Sequence, residues 1–313
     1  MNPSAAKIAG EGSVALPGNY DGVHLGHQAL LAAARMHAAR LASRVVVLTF
    51  DPHPLQLLAP ERAPKQLTTR ERRAQLLRLA GADDVRVVRF DEDFAKQSPT
   101  DFVDSILVKE LRARAIVVGS DFRFGEGRAG DLPMLRSLGE TRNFSVEEVA
   151  PVIDDGSIVS STRVRQCLEN GEVREAARLL SRAHDVDGTV VEGNRRGRTI
   201  GFPTANLQCD PVLLPRDGVY MIAARVLDDA RVVPGVLNIG TRPTLAAGRS
   251  FEAHLFDFDR DIYGKRLRVA FLERLRDEKK FDGIDSLTAQ IQSDVALAKE
   301  AWANTPMGLV QWM

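Results

Sequence analysis

His24 and His27 stand three residues apart in Gly18-Asn19-Tyr20-Asp21-Gly22-Val23-His24-Leu25-Gly26-His27, a spacing that lets two imidazoles converge on one anion. The segment follows the apolar run Val14-Ala15-Leu16 and opens an Ala- and Leu-rich stretch, Gln28 to Ala42, with helical periodicity. A strand-to-helix junction offers backbone N–H groups and the positive end of a helix dipole, which together favour phosphate. Gly18, Asn19, Asp21 and Gly26 are therefore expected at an ATP or phosphate site, with Gly26 admitting close backbone approach. An HxxH on a helix is by itself more often incidental or a fragment of a metal site; the HxGH form at this junction points to anion chemistry instead.

Further segments carry reactive or binding side chains. Ile158 to Arg165 places Ser160, Ser161, Thr162 and Arg163 at the start of an expected helix. Alone this is an N-cap; beside HxGH it reads as a second phosphate clamp, with Arg163 making a charge-assisted contact. Gly119-Ser120-Asp121-Phe122-Arg123-Phe124-Gly125 follows a strand, and Phe122 and Phe124 either hold a flat ring or pack a turn onto the sheet. Asp121 stands beside them as a candidate site residue. Thr49 to Pro54 (TFDPHP) also ends a strand, at the edge where open α/β sheets bind ligands. In the second half, Gly193 to Asn206 is rich in Gly and Arg and ends in PTAN. Its Gly193, Arg195, Gly197 and Gly201 suit a phosphate cradle. Thr204 and Asn206 offer the oxygen ligands that Mg²⁺ prefers. No GxxxxGK[ST] pattern occurs, which excludes a P-loop kinase.

These segments need elements to hold them. In the first half, Arg44 to Phe50, Val85 to Phe90 and Ala115 to Gly119 read as buried strands, and Thr69 to Leu79 as a helix with Thr68 as its cap. The alternation predicts an α/β, Rossmann-like domain with a parallel sheet. Beyond a helical region at Arg163 to Leu180, short β-type runs take over: Val186 to Val191, Tyr220 to Val226, Val232 to Leu237, Ser250 to Phe256 and Leu267 to Phe271. Gly, Pro, Asp and Asn turns separate them, as in an antiparallel β-barrel. A terminal helix is expected from about Ile284 to Asn304. Two domains result, 1–183 and 184–313.

Length and composition agree with that division. The 313 residues exceed one ordinary domain, and 44% hydrophobic with 27% charged residues is a globular profile. Lys plus Arg and Asp plus Glu balance at 42 each, so charge gives no reason to expect nucleic acid or an anionic membrane as partner. Cys167 and Cys209 lack CxxC spacing, which excludes a disulfide framework or zinc cluster as an organising principle. No secretory signal and no apolar run of membrane-spanning length is expected, which makes the cytoplasm the expected compartment. A homo-oligomer is compatible with the sequence.

The motifs together resemble a known family. HxGH with a later SSTR is similar to the HxGH nucleotidyltransferases. GNYDGVHLGH, FDPHP and GSDFRFG look like the FMN adenylyltransferase module of bacterial bifunctional FAD synthetases, with Tyr20 where that module usually has Phe. PTAN, Asn238-Ile239-Gly240-Thr241-Arg242-Pro243-Thr244, Phe251-Glu252-Ala253-His254 and Leu275 to Phe281 (LRDEKKF) resemble the riboflavin kinase family. The resemblance spans about nine-tenths of the chain and omits Thr305 to Met313.

This resemblance implies two ATP-dependent reactions: riboflavin to FMN in the barrel, then FMN to FAD in the first domain, with Mg²⁺ accompanying ATP. It implies Glu252 as the base that accepts the ribityl hydroxyl proton, and Asp121, Phe122, Phe124 and Arg276 as flavin or nucleotide contacts. The nucleophile of the second reaction is an already ionised phosphate, so His24, His27, Ser161, Thr162 and Arg163 are expected to orient and stabilise charge. A chain retaining one activity is the near alternative. A flavin- or NAD-dependent oxidoreductase would need GxGxxG after the first strand, where this chain has histidines.

Overall fold

The computed structural model describes residues 12–193, 201–241 and 249–313. The β-branched runs of the first half form β1 (Ser13–Pro17), β2 (Arg44–Asp51), β3 (Asp84–Arg89), β4 (Ala113–Gly119) and β5 (Ser145–Val149). They pair in parallel in the order β3-β2-β1-β4-β5. All five residues of β1 are buried, because a central parallel strand is covered on both faces and must be apolar throughout. The helix Leu25–Leu41 turns Leu31, Ala34 and Ala38 inward at three- and four-residue spacing. Under the sheet, Phe102, Val103, Leu107, Ile116, Phe124, Leu132 and Leu135 share one core. β5 carries two consecutive glutamates and does not read as a strand in the sequence. Its pairing with β4 at the sheet edge, rather than its own apolarity, makes it one.

The chain reverses direction between β1 and β4: β2 and β3 lie on one side of β1, β4 and β5 on the other. At such a switch point, loops leaving the carboxyl ends of adjacent strands diverge and open a crevice where ligands bind. Gly18–His24 leaves β1 and Gly119–Phe124 leaves β4. Topology thus gathers the two motif loops.

The chain separates into two compact units, 1–65 with 70–159 and 66–69 with 160–313. The hairpin of β6 (Ile153–Asp154) and β7 (Ser157–Ile158) ends the first. The helical region of the second is two helices, Ser161–Asn170 and Val173–Leu180, separated at Gly171, a left-handed cap with φ 82°. Both helices fall in the unit that holds the barrel.

That barrel is closed and antiparallel. Its strands are β8 (His184–Val191), β9 (Ala205–Cys209), β10 (Gly218–Val226), β11 (Val233–Thr241), β12 (Arg249–Leu255) and β13 (Arg266–Arg276), paired in the cycle β10-β11-β12-β9-β8-β13. β9 is the strand that its mixed polar sequence conceals; it begins inside PTAN. Tyr220, Phe251 and Phe271 pack edge to face within the barrel. The alternate residues Met221, Ala223, Ala270 and Leu272 face outward into a second core with Ala298 of the helix Ile284–Ala303. Burial on both faces explains why β10 shows almost no polar alternation. The tail joins this outer core: Val310 is buried, Ala183 N–H donates to Leu309 O at 2.9 Å, and the Arg182 guanidinium lies over the Trp312 ring. Residues 305–313, which match no motif, are thus part of the second unit's packing.

Among the described residues, no helix is long and apolar enough to cross a membrane.

Candidate active sites

In the first unit the loop after β1 is tightly held. Gly18 N–H donates to Leu48 O at 2.9 Å, Thr49 Oγ1 to Asn19 O at 3.0 Å, and Gln28 Nε2 to Val23 O at 3.0 Å. Tyr20 and Val23 nevertheless adopt φ of 53° and 47°. A β-branched residue in the left-handed region is a strained outlier that only its surroundings can maintain. The result is to bring two imidazoles together: His24 caps the helix Leu25–Leu41, His27 lies in its first turn, and their rings stack with centroids 3.7 Å apart. Tyr20 tilts against His27 at 5.0 Å. A Cβ at residue 26 would come within 3.1 Å of His24 Cε1, so glycine there leaves the ring its place.

Burial, reinforced by His24 and Arg73, holds the His27 imidazole well below the usual histidine range. Its Nδ1 is enclosed without a hydrogen-bond partner. A neutral ring with an enclosed, unsatisfied nitrogen suits an anion-binding role, since an incoming phosphate raises the ring's basicity as it docks. Asp21 is buried beside this pair. Asn19 is exposed at the loop surface, and its carbonyl anchors the loop.

On the β4 loop, Asp121 is exposed and a Cβ at Gly119 would meet its Oδ1 at 3.1 Å. Phe122 is partly exposed and stacks on Phe124 at 5.5 Å. Phe124 is 5% exposed and belongs to the core with Phe102. Of the two rings, Phe122 is the one with accessible surface.

In the second unit, Ser160 is the N-cap: its Oγ accepts from Arg163 N–H at 3.2 Å. Ser161 and Thr162 follow in the first turn. The Arg163 guanidinium donates to Glu175 at 3.0 Å. Hydrogen bonding to Arg178, and secondarily the charge and bonding of Arg163, hold the Glu175 carboxyl below its usual range.

Glu252 lies on β12 directly between Asn206 of β9 and Asn238 of β11. Cross-strand neighbours share a face, so these three polar side chains form a row on the outer surface of the barrel while Phe251 and Ala253 point inward. His254 continues the row; its Nδ1 is 2.9 Å from Pro203 O, and Phe202 meets its ring edge-on. Thr204 precedes Asn206 by two residues, with Gly201 exposed upstream. A Cβ at residue 193 would lie 2.1 Å from Asn206 Nδ2; the glycine makes room for the Asn206 side chain. Arg195 and Gly197 lie outside the described residues, as do Arg242, Pro243 and Thr244.

Arg276 ends β13. Its Nε donates to both carboxylate oxygens of Asp294 at 3.0 Å and its Nη2 to Oδ2 at 2.8 Å. Asp294 also accepts from Gln290 at 2.9 Å. This bidentate pair ties the strand to the helix Ile284–Ala303. Asp294 carries no sequence signal apart from its place on the inward face of that helix. Arg73, buried beneath the first site, is likewise absent from every motif.

Comparison with known proteins adds the family. Residues 6–163 match the model of the FAD synthetase family and residues 180–302 that of the riboflavin kinase family. The bifunctional riboflavin kinase/FMN adenylyltransferase of Escherichia coli (strain K12) is 40% identical over 296 residues, 94% of each chain. That of Haemophilus influenzae is 38% identical over 283 residues, covering 90% of this chain and 92% of its own. A Streptococcus pneumoniae crystal structure described as a macrolide-efflux protein superposes with a TM-score of 0.84 at 32% identity, over 96% of this chain and 97% of that one.

Proposed function

The chain belongs to the bifunctional riboflavin kinase/FMN adenylyltransferase family, and on that premise we propose how its residues divide the two ATP-dependent reactions.

Riboflavin phosphorylation takes place in the barrel. The ribityl hydroxyl attacks the γ-phosphorus of ATP and ADP leaves. Glu252 accepts the hydroxyl proton from its place between Asn206 and Asn238. The glycine-rich segment at Gly193, Arg195, Gly197 and Gly201 cradles ATP phosphates. Thr204 and Asn206 offer the oxygen atoms that Mg²⁺ prefers, and Gly193 makes room for the Asn206 side chain. Among the described residues no cluster of three His, Cys, Asp or Glu forms a metal cage, and an ion shared between one or two protein oxygens and nucleotide phosphates needs none. When bound, it offsets the negative charge of those phosphates. Arg276 serves the flavin site by fixing the segment after β13.

FMN adenylylation takes place in the first unit. An FMN phosphate oxygen attacks the α-phosphorus of ATP, the α–β bridge bond breaks and diphosphate leaves. His24 and His27 orient the phosphates and donate hydrogen bonds to developing charge, with Gly18, Asn19, Asp21 and Gly26 shaping the loop. Asp121 and Phe122 receive nucleotide or flavin, and Phe124 supports Phe122 from the core. The FAD synthetase match runs through residue 163, which supports a phosphate-binding part for Ser161, Thr162 and Arg163 in this reaction. The functional division falls at 183/184, between the helices after the SSTR motif and the first barrel strand.

The stacked His24–His27 pair at the carboxyl edge of β1 carries the reading of the first unit. Riboflavin, excess ATP and Mg²⁺ are expected to yield FMN first and FAD later by chromatography. His27→Ala should stop at FMN, whereas Glu252→Gln should leave riboflavin unchanged yet convert added FMN to FAD. Loss of both activities in either folded variant would refute the division.

A further inference from the structure

We propose that Arg73, outside every recognised motif, is a positioning residue for FMN adenylylation, fastening the His24–His27 loop to the ends of two strands. The inference rests on the assignment of that loop to adenylyl transfer.

Arg73 lies on the helix Arg70–Leu79 and is 3% exposed. Its Nη1 donates to Asn19 O at 3.3 Å, immediately beyond β1, and its Nη2 to Phe50 O at 3.0 Å, near the end of β2. One planar guanidinium thus spans the exits of two adjacent strands, a geometry that a lysine ammonium does not reproduce. Asn19 O receives Thr49 Oγ1 as well, so the first peptide of the loop is held from two sides. The strained Tyr20 and Val23 follow directly. Strain of that kind persists only where neighbouring contacts over-determine the backbone, and Arg73 is one of those contacts.

The same side chain also acts through charge. Burial lowers its proton affinity, while Asp21, Asp51 and Glu71 raise it and Arg70 opposes them; a guanidinium remains protonated throughout. The groups that face His27 are Tyr20, His24 and this cation. Burial first, then His24 and then this cation disfavour charge on the imidazole, so His27 meets an incoming polyphosphate as a neutral ring. A buried arginine whose hydrogen bonds go to two loop-anchoring carbonyls, and whose Nε has no hydrogen-bond partner, is an expensive choice for packing alone.

The test uses the full-length protein, with circular dichroism and urea unfolding as the measure of folding and riboflavin phosphorylation as a control on the second unit. Arg73→Lys keeps the charge and loses the bridge: kcat for FAD formation should fall roughly 10- to 100-fold, with a smaller change in KM for FMN. His27, followed by NMR of its ring protons, should keep its low titration midpoint. Arg73→Met should lose FAD formation similarly and raise that midpoint only slightly, since burial and His24 still hold it down. Wild-type FAD formation in a folded Arg73→Lys or Arg73→Met overturns the inference. So does an ordinary midpoint in the unmodified enzyme, a measurement that needs no variant to fold. A fully active His27→Ala would instead refute the assignment of the loop, leaving the titration coupling standing.

Discussion

The rings of His24 and His27 stack with centroids 3.7 Å apart and planes 20° from parallel. Burial penalises a charge on His27 most, and repulsion from a second imidazolium at that separation adds to it. The folded chain therefore resists protonating His27.

This resistance makes stability depend on pH. Below the ordinary histidine pKa of about 6.5 the unfolded chain binds a proton at residue 27 that the folded chain excludes. The unfolded state then holds more protons, so stability rises with pH through this window. The His27 contribution is complete above the ordinary value and declines as pH falls toward the depressed native one. Its slope is at most about 1.4 kcal/mol per pH unit. Urea unfolding across this range should show a shallower pH dependence for His27→Gln than for the unaltered chain. Parallel curves would mean that His27 titrates normally in the folded state.

Much of this was legible before the structure. β1, β2, β3 and β4 followed from apolar β-branched runs, and the two motif loops from their position after β1 and β4. Barrel strands β8, β10, β11, β12 and β13 were visible as runs between turn residues. What escaped was set by pairing partners and not by local pattern. β5 and β9 are strands because a neighbour pairs with them. Arg73 and Asp294 belong to no motif, and a sequence does not display which carbonyl or guanidinium lies across the gap. Arg163, expected to clamp phosphate, also holds Glu175, a partner twelve residues on in the next helix.

The second site offers a test of space. A Cβ at residue 193 would overlap the end of the Asn206 side chain. Because that end is flexible, Gly193→Ala should fold with little loss of stability while displacing the Asn206 amide. Riboflavin phosphorylation should then fall at least about tenfold and require more Mg²⁺, as expected when one oxygen ligand is misplaced. Conversion of supplied FMN to FAD should be unaffected. Steady-state kinetics over a Mg²⁺ series decides it: an unchanged metal dependence would remove Asn206 from the metal site.

Arg276 poses a different question, because it was expected at the flavin and is found bound to Asp294. Asp294 is 3% exposed and accepts from both Arg276 and Gln290. Removing one partner of a buried pair leaves an uncompensated charge, so Asp294→Leu should cost about 3 kcal/mol in urea unfolding. The segment Asp277–Phe281 starts at this clamp, and the Arg276 guanidinium lies 5.8 Å from the Phe281 ring centre; KM for riboflavin should rise with the loss. The double variant Arg276→Met with Asp294→Leu removes both charges and restores apolar packing, which can recover stability to within about 1 kcal/mol. If Arg276 serves the site by anchoring the helix, riboflavin KM recovers with stability. A stable double variant that still binds riboflavin poorly would show that the guanidinium itself meets the flavin or nucleotide, and that the pair with Asp294 opens when substrate arrives.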